Sequence, residues 1–238
     1  MKNILHALYR IWFYTVVLFV TLLLSPFLVL SILREPWYPF FFKLAKVWGT
    51  FILWAMGFRL KIKRDVTRPS GKSYMFVANH TSMIDIMLMY HTVHNPFVFV
   101  GKAELAKIPL FGFFYKRSCI LVDRKNRSSR GKAFMQAQRR MQNGMSICIF
   151  PEGGIPSNEA IVLDRFKDGA FRLAIEHQTP IAPLTFHDNK KRFSYKFFSG
   201  SPGKMRVRVH KPIPTVGMGP EDKQALMQTT RNVILSEL

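Results

Sequence analysis

The chain has 238 residues, 48% of them hydrophobic, enough for one sizeable packed domain with a short appendage but not for two full domains. Its 35 Lys and Arg against 14 Asp and Glu give a formal charge of +21, which calls for a polyanionic partner, nucleic acid or anionic lipid. Cys119 and Cys148, each inside an apolar run, are too few for a disulfide scaffold and show neither CxxC spacing nor a nearby His for a metal site.

No charged residue occurs from position 11 to position 33. As a helix this run extends about 35 Å against a hydrocarbon core of about 30 Å, so it can enter or cross a bilayer. Pro26 predicts a kink, which leaves a bent or re-entrant segment and a straight span both open. A secretory signal peptide fits less well, because its apolar core is shorter and Arg34-Glu35-Pro36-Trp37 is no small-residue cleavage site. A second apolar stretch, 47–58, is too short for an ordinary span and follows Lys43 and Lys46. With Trp37, Tyr38, Phe40, Phe41, Phe42, Trp48, Trp54 and Phe58 around it, it suits the headgroup boundary, the alternative being a buried core helix. Residues 1–60 are therefore expected to form a membrane-associated two-helix segment.

Beyond residue 60 the pattern becomes short β-rich runs separated by helical segments, the signature of crossover units. Strands are predicted over 74–79, 96–101, 119–123, 145–150 and 180–186, with a weaker alternating edge strand over 204–210. Helices are predicted over 129–143, closed by Gly144, and over 166–177. The expected class is α/β, with a mixed, largely parallel sheet flanked by helices in a domain spanning 61–238. The cluster Lys190-Lys191-Arg192 reads as a surface loop, and the basic residues between Arg127 and Arg140 as a solvated face. His91, His94, His177, His187 and His210 have no metal-ligand spacing and read as structural or exposed.

The stretch most informative for chemistry is Asn79-His80-Thr81-Ser82-Met83-Ile84-Asp85, which arrives at the carboxyl end of a predicted strand, where open α/β sheets place their sites. On one helix His80 and Asp85 would lie about 140° apart, so they meet only if His80 sits in the turn before the helix. Thr81 or Ser82 would then be the N-cap, with Asp85 in the first turn. In that geometry His80 can take a proton from a substrate hydroxyl while Asp85 fixes its tautomer. A purely structural reading stands beside it: Ser82-x-x-Asp85 is also a capping-box pattern that needs no chemistry.

Four ordered blocks decide between these readings. Asn79-His80-x-x-x-x-Asp85 resembles the first block of the glycerolipid acyltransferases of the 1-acylglycerol-3-phosphate acyltransferase type. Gly101-Lys102-Ala103-Glu104-Leu105, then Pro109 and Gly112, then Ile120-Leu121-Val122-Asp123-Arg124 resembles the second. Phe150-Pro151-Glu152-Gly153 resembles the third and Pro180-Ile181-Ala182-Pro183-Leu184 the fourth, so the resemblance spans residues 74–186. It implies that His80 and Asp85 are catalytic and that Lys102, Arg124, Glu152 and Gly153 bind substrate. It further implies an acyl thioester donor, acyl-CoA or acyl carrier protein, as cosubstrate, with no other cofactor and no metal. The acceptor it implies is a lysophospholipid whose hydroxyl attacks directly, giving phosphatidate, and the setting is the cytoplasmic face of a membrane of anionic lipid. One departure bears on the acceptor. Gly154-Ile155 stand where the family usually has Thr-Arg, and an isoleucine cannot supply a guanidinium fork to phosphate. Either Arg124, Lys102, Lys125 or Lys167 compensates, or the acceptor is an aminolipid or another lyso-lipid. Nucleic acid is not expected as a partner, since no zinc-finger spacing, RNP-like strand or helix-turn-helix occurs.

Overall fold

The structure is a computed structural model that describes residues 2–66, 72–109, 111–156 and 160–238. In chain order its elements are α1 (Lys2–Ile32), α2 (Tyr38–Ala55), β1 (Phe58–Arg64), β2 (Met75–Ala78), α3 (Asp85–Thr92), β3 (Phe97–Lys102), α4 (Phe111–Ser118) and β4 (Cys119–Val122). There follow α5 (Arg127–Gln142), β5 (Ser146–Ile149), α6 (Gly169–Glu176), β6 (Ile181–Phe186), α7 (Asn189–Arg192), β7 (Gly203–Val209) and α8 (Lys223–Leu235). They fall into two compact units. One comprises Met1–Lys63, His80–His94 and Phe186–Arg208, the other Arg64–Asn79, Asn95–Thr185 and Val209–Leu238.

In the first unit α1 is a single 31-residue helix, about 46 Å long at 1.5 Å per residue, that continues through Pro26. It begins nine residues earlier than the uncharged run, because Lys2 and Arg10 are no obstacle to helix and Arg10 finds partners inside the unit. Phe13, Val16, Val20 and Leu28 recur at helical spacing and are buried. Ile4, Leu8, Ile11, Leu18, Phe19, Leu22, Leu23 and Phe27 face outward, and only 22% of the most apolar window is buried. A helix this long and apolar, with its outward face bare, is membrane-associated in character.

The apolar stretch at 47–58 is the second half of α2 and not a separate segment. The helix starts at Tyr38, with Pro39 in its first turn where a missing N–H costs nothing, and it ends before Phe58. In α2, Phe41, Phe42, Ala45, Gly49, Ile52 and Leu53 are buried, while Phe40, Val47, Phe51 and Trp54 are exposed. Gly49 is where α3 comes closest, since a Cβ there would stand 3.1 Å from the Met87 carbonyl oxygen. Trp48 Nε1 donates to Thr21 Oγ1 at 3.0 Å and Tyr9 Oη to the Met56 carbonyl at 2.8 Å, which fastens α1 to α2 and to the chain just beyond it. β1 was not foreseen. It lies beside β7, and its Phe58, Leu60 and Ile62 alternate with Arg59, Lys61 and Lys63. The boundary expected at residue 60 thus falls inside a strand, and 80–94 and 186–208 belong with the amino-terminal helices.

The second unit carries β6, β2, β5, β3 and β4 as neighbours in that order, all parallel, with Val77 opposite both Ile149 and Pro183. Met75 to Ala78 are all inaccessible, as a central strand covered on both faces requires. An antiparallel bridge between Ile181 and Ile213 makes the sheet mixed. The class is the expected one: α/β, with a mixed, largely parallel sheet flanked by helices. The helix predicted over 129–143 is α5, which starts two residues earlier because the Asn126 side chain accepts the Ser129 N–H. It closes on Gly144, at φ +76°. Its Ala133, Ala137 and Met141 are buried while Arg127, Arg130, Lys132 and Arg139 are exposed, the solvated face read from the sequence. His210 is structural: its Nε2 lies 2.8 Å from Thr185 Oγ1, both buried. Burial pushes the Cys119 thiol up to about 12 and Cys148 upward as well, so neither is a nucleophile at neutral pH.

In the first unit Asp188 receives a fork from Arg206, Nη2 to Oδ1 at 2.8 Å and Nε to Oδ2 at 2.9 Å, with the Arg206 N–H also on Oδ2. These bonds hold the Asp188 carboxyl below its usual value, outweighing its partial burial. A depressed carboxylate contributes stability that is complete above the unfolded value, about 3.9, and is lost as pH falls through the lower folded value. Asp188→Asn is therefore expected to lower the melting temperature near neutral pH and to reduce its fall below about pH 4. Thermal melts across that range check this, and an acid limb identical in the two proteins contradicts it.

Candidate active site

Two residues beyond β2 the chain turns, and His80 lies in that turn, partly exposed, with Asp85 wholly buried as the first residue of α3. His80 Nδ1 and Asp85 Oδ2 are 2.7 Å apart, the geometry that the spacing required. The same oxygen accepts the N–H of Thr81 at 2.7 Å and of Ser82 at 2.9 Å. The capping pattern and the His–Asp pair are therefore one arrangement, with a single carboxylate closing the turn and holding the imidazole. The expected N-cap is corrected. Ile84 holds that position, because Ser82 Oγ donates to the Phe193 carbonyl and Asp85 itself takes the N–H groups of the turn.

A residue that the sequence reading missed completes this set. Asn189, wholly buried at the start of α7, donates from Nδ2 to Asp85 Oδ1. Both carboxylate oxygens are thus occupied, which fixes the plane of Asp85 and with it the ring of His80. An Asn next to Asp188 in a basic stretch carries no local signal of this role, and 104 residues separate the partners.

The remaining predicted site residues lie in the second unit, at the carboxyl ends of neighbouring parallel strands. Lys102 ends β3, is exposed, and pairs with Glu104 at 3.6 Å. Arg124 follows β4 by two residues, and its guanidinium is lowered by burial, an effect that Tyr115 and Glu104 oppose. Tyr115 of α4 crosses to Gly101, where its hydroxyl occupies the place a Cβ would need, so any larger residue there would displace the Tyr115 ring. Past β5, Gly153 sits at φ +84° and a Cβ on it would stand 2.7 Å from Lys167 Nζ. A Cβ on Gly154 would stand 3.8 Å from Arg124 Nη1. Arg124 and Lys167 therefore lie over the turn that leads into Ile155. Glu152, buried, accepts the Asp164 N–H at 2.9 Å and so braces that turn from behind. Lys167 was expected at the site only as one of four basic residues that could compensate for Ile155, and Tyr115 was not expected there. Tyr115, inside an aromatic and basic helix, carried no local signal of a place at the site.

A histidine held by a buried carboxylate beyond a parallel strand, in an α/β chain that also carries a strand-end basic cluster, is suited to acid–base catalysis of group transfer to or from an anionic substrate. The family model described as Acyltransferase matches residues 59–187, and the chain belongs to the acyltransferase family. Relatives include an uncharacterized acyltransferase of Schizosaccharomyces pombe, 31% identical over 77% of this chain and 66% of its own length. The 1-acyl-sn-glycerol-3-phosphate acyltransferase alpha of Homo sapiens is 28% identical over 78% of this chain and 65% of its own. The 1-acyl-sn-glycerol-3-phosphate acyltransferase of Borreliella burgdorferi is 26% identical over 78% and 74%. The chain thus spans just under two thirds of the first two relatives. In fold it is similar to the 1-acyl-sn-glycerophosphate (LPA) acyltransferase PlsC of Thermotoga maritima, with a TM-score of 0.80 over 99% of this chain and 97% of that one, at 20% identity.

Proposed function

We propose that this chain transfers a fatty acyl group from a thioester, acyl-CoA or acyl carrier protein, to the free hydroxyl of 1-acylglycerol-3-phosphate. The observation that carries the chemistry is the 2.7 Å contact between His80 Nδ1 and Asp85 Oδ2. With Nδ1 committed to the carboxylate, Nε2 is the nitrogen that takes the acceptor's proton. The acceptor oxygen bonds to the thioester carbonyl carbon, the C–S bond breaks, and the imidazolium returns its proton to the leaving sulfur. Asp85 offsets the imidazolium charge between these two transfers. No residue of the chain is acylated on this route. On this reading the chain works at the cytoplasmic face of an anionic membrane; the bare apolar face of α1 and the +21 charge support the membrane association.

For the acceptor, the reading assigns phosphate to Arg124, with Lys102 and Lys167 contributing charge and the Glu152-Gly153 turn as its floor. The position of Arg124 Nη1 against Gly154 favours it, since that guanidinium stands beside the turn that carries Ile155. Arg124→Gln is expected to raise KM for lysophosphatidate roughly 10- to 100-fold with a smaller change in kcat, as loss of a charge-assisted bond predicts. Steady-state kinetics with lysophosphatidate and monoacylglycerol check this. An equal effect on both acceptors would show that Arg124 does not read phosphate.

A further inference from the structure

Residues 193–199 read Phe-Ser-Tyr-Lys-Phe-Phe-Ser, and within four positions of the first unit Tyr195, Phe197 and Phe198 are 55%, 48% and 56% exposed. The Phe197 and Phe198 rings meet edge to face at 5.1 Å, and the exposed Lys191 and Lys196 stand among them in sequence. Single exposed apolar side chains are ordinary, but a cluster rimmed by charge marks a contact surface. This segment is also held from within. Arg10, on α1 and only 1% exposed, donates to the carbonyls of Ser194, at 2.7 Å, and of Lys196, and its guanidinium covers the Phe193 ring at 4.1 Å. The Phe193 ring packs 4.4 Å from that of Phe13, also on α1. The bonds from Arg10 Nη2 fix the backbone that presents the aromatic tip. The same stretch of α1 also turns Leu8, Ile11 and Trp12 outward. Exposed aromatic rings interleaved with lysine match the headgroup boundary, where rings are half wet and ammonium groups meet phosphate.

We propose that residues 195–198 form a second bilayer contact, with Tyr195, Phe197 and Phe198 set among the headgroups of an anionic leaflet and Lys191 and Lys196 against lipid phosphate. The proposal rests on the reading of α1 as membrane-associated and extends it to a segment 160 residues or more away in sequence. Because Ser82 Oγ donates to the Phe193 carbonyl, this contact is tied directly to the turn that carries His80.

The test uses the full chain with Phe197→Cys, and separately Phe198→Cys, labelled with a polarity-sensitive nitrobenzoxadiazole probe. The chain is placed in nanodiscs of phosphatidylglycerol or of phosphatidylcholine, with the identically treated parent chain as background for Cys119 and Cys148. Expected in phosphatidylglycerol discs are a blue-shifted emission, quenching by lipids carrying an acyl-chain nitroxide, and protection from iodide. In phosphatidylcholine discs the nitroxide quenching should be severalfold weaker. A chain that co-elutes with the discs while both probes stay open to iodide overturns the proposal and leaves α1 as the anchor. Equal quenching in the two lipids overturns the role of the lysines, and failure to co-elute overturns the α1 reading and this one together.

Discussion

His80→Ala is expected to abolish measurable incorporation of labelled acyl-CoA into phosphatidate while leaving membrane association and folding intact. Removing a positioned general base costs on the order of 10²- to 10⁴-fold in rate, and on the proposed route the same imidazole also returns the proton to the leaving sulfur. The folded state should tolerate the change, because His80 is partly exposed and the turn that bears it is closed by Asp85 through the N–H groups of Thr81 and Ser82. Flotation with vesicles and a thermal melt establish that the variant is folded and bound, and labelled-product assays then report the chemistry. A variant with full activity would remove His80 from the mechanism.

The second large effect is expected for Asp85→Asn, and it has two parts. An amide at this position presents an NH₂ where a carboxylate accepted protons, so it no longer selects the tautomer with hydrogen on Nδ1 or offsets the imidazolium. Loss of kcat on the order of 10³- to 10⁴-fold follows from the comparable change in a Ser-His-Asp site. It also leaves at least one of four converging donors, from His80, Thr81, Ser82 and Asn189, without a partner around a side chain that is wholly buried. An orphaned buried donor costs about 1–3 kcal/mol, so the variant should melt at a measurably lower temperature than His80→Ala. Parallel melts and kinetics on the two variants separate the contributions, and an Asp85→Asn protein with normal kcat would make the carboxylate a cap alone.

What could be read from the sequence follows from the range of the interactions involved. The six predicted strands all occur, since each is a short apolar run whose period or continuity is a local property. β1 escaped because its three apolar residues alternate with arginine and lysine, and its pairing with β7 lies more than 130 residues away. α4 and α8 also escaped: α8 buries only Leu226, Thr230 and Ile234, a narrow stripe in a polar helix. The His80–Asp85 contact was deducible because five residues and one turn leave few geometries. Asn189 on Asp85, Ser82 on Phe193 and Arg10 on the 194–196 carbonyls were not, because each joins residues more than 100 positions apart and only tertiary packing brings them together. The departure at Gly154-Ile155 was visible as a loss. The placement of Arg124 against it could be seen only in three dimensions.

The most direct measurement offers the purified chain in nanodiscs an equimolar mixture of lysophosphatidate, lysophosphatidylethanolamine and monoacylglycerol, with acyl-CoA or acyl carrier protein as donor. Products are read by mass spectrometry. The account predicts phosphatidate as the dominant product and no acylated product of any kind from His80→Ala. Acylation undiminished in that variant, or phosphatidate appearing only as a minor product of the intact chain, would contradict it.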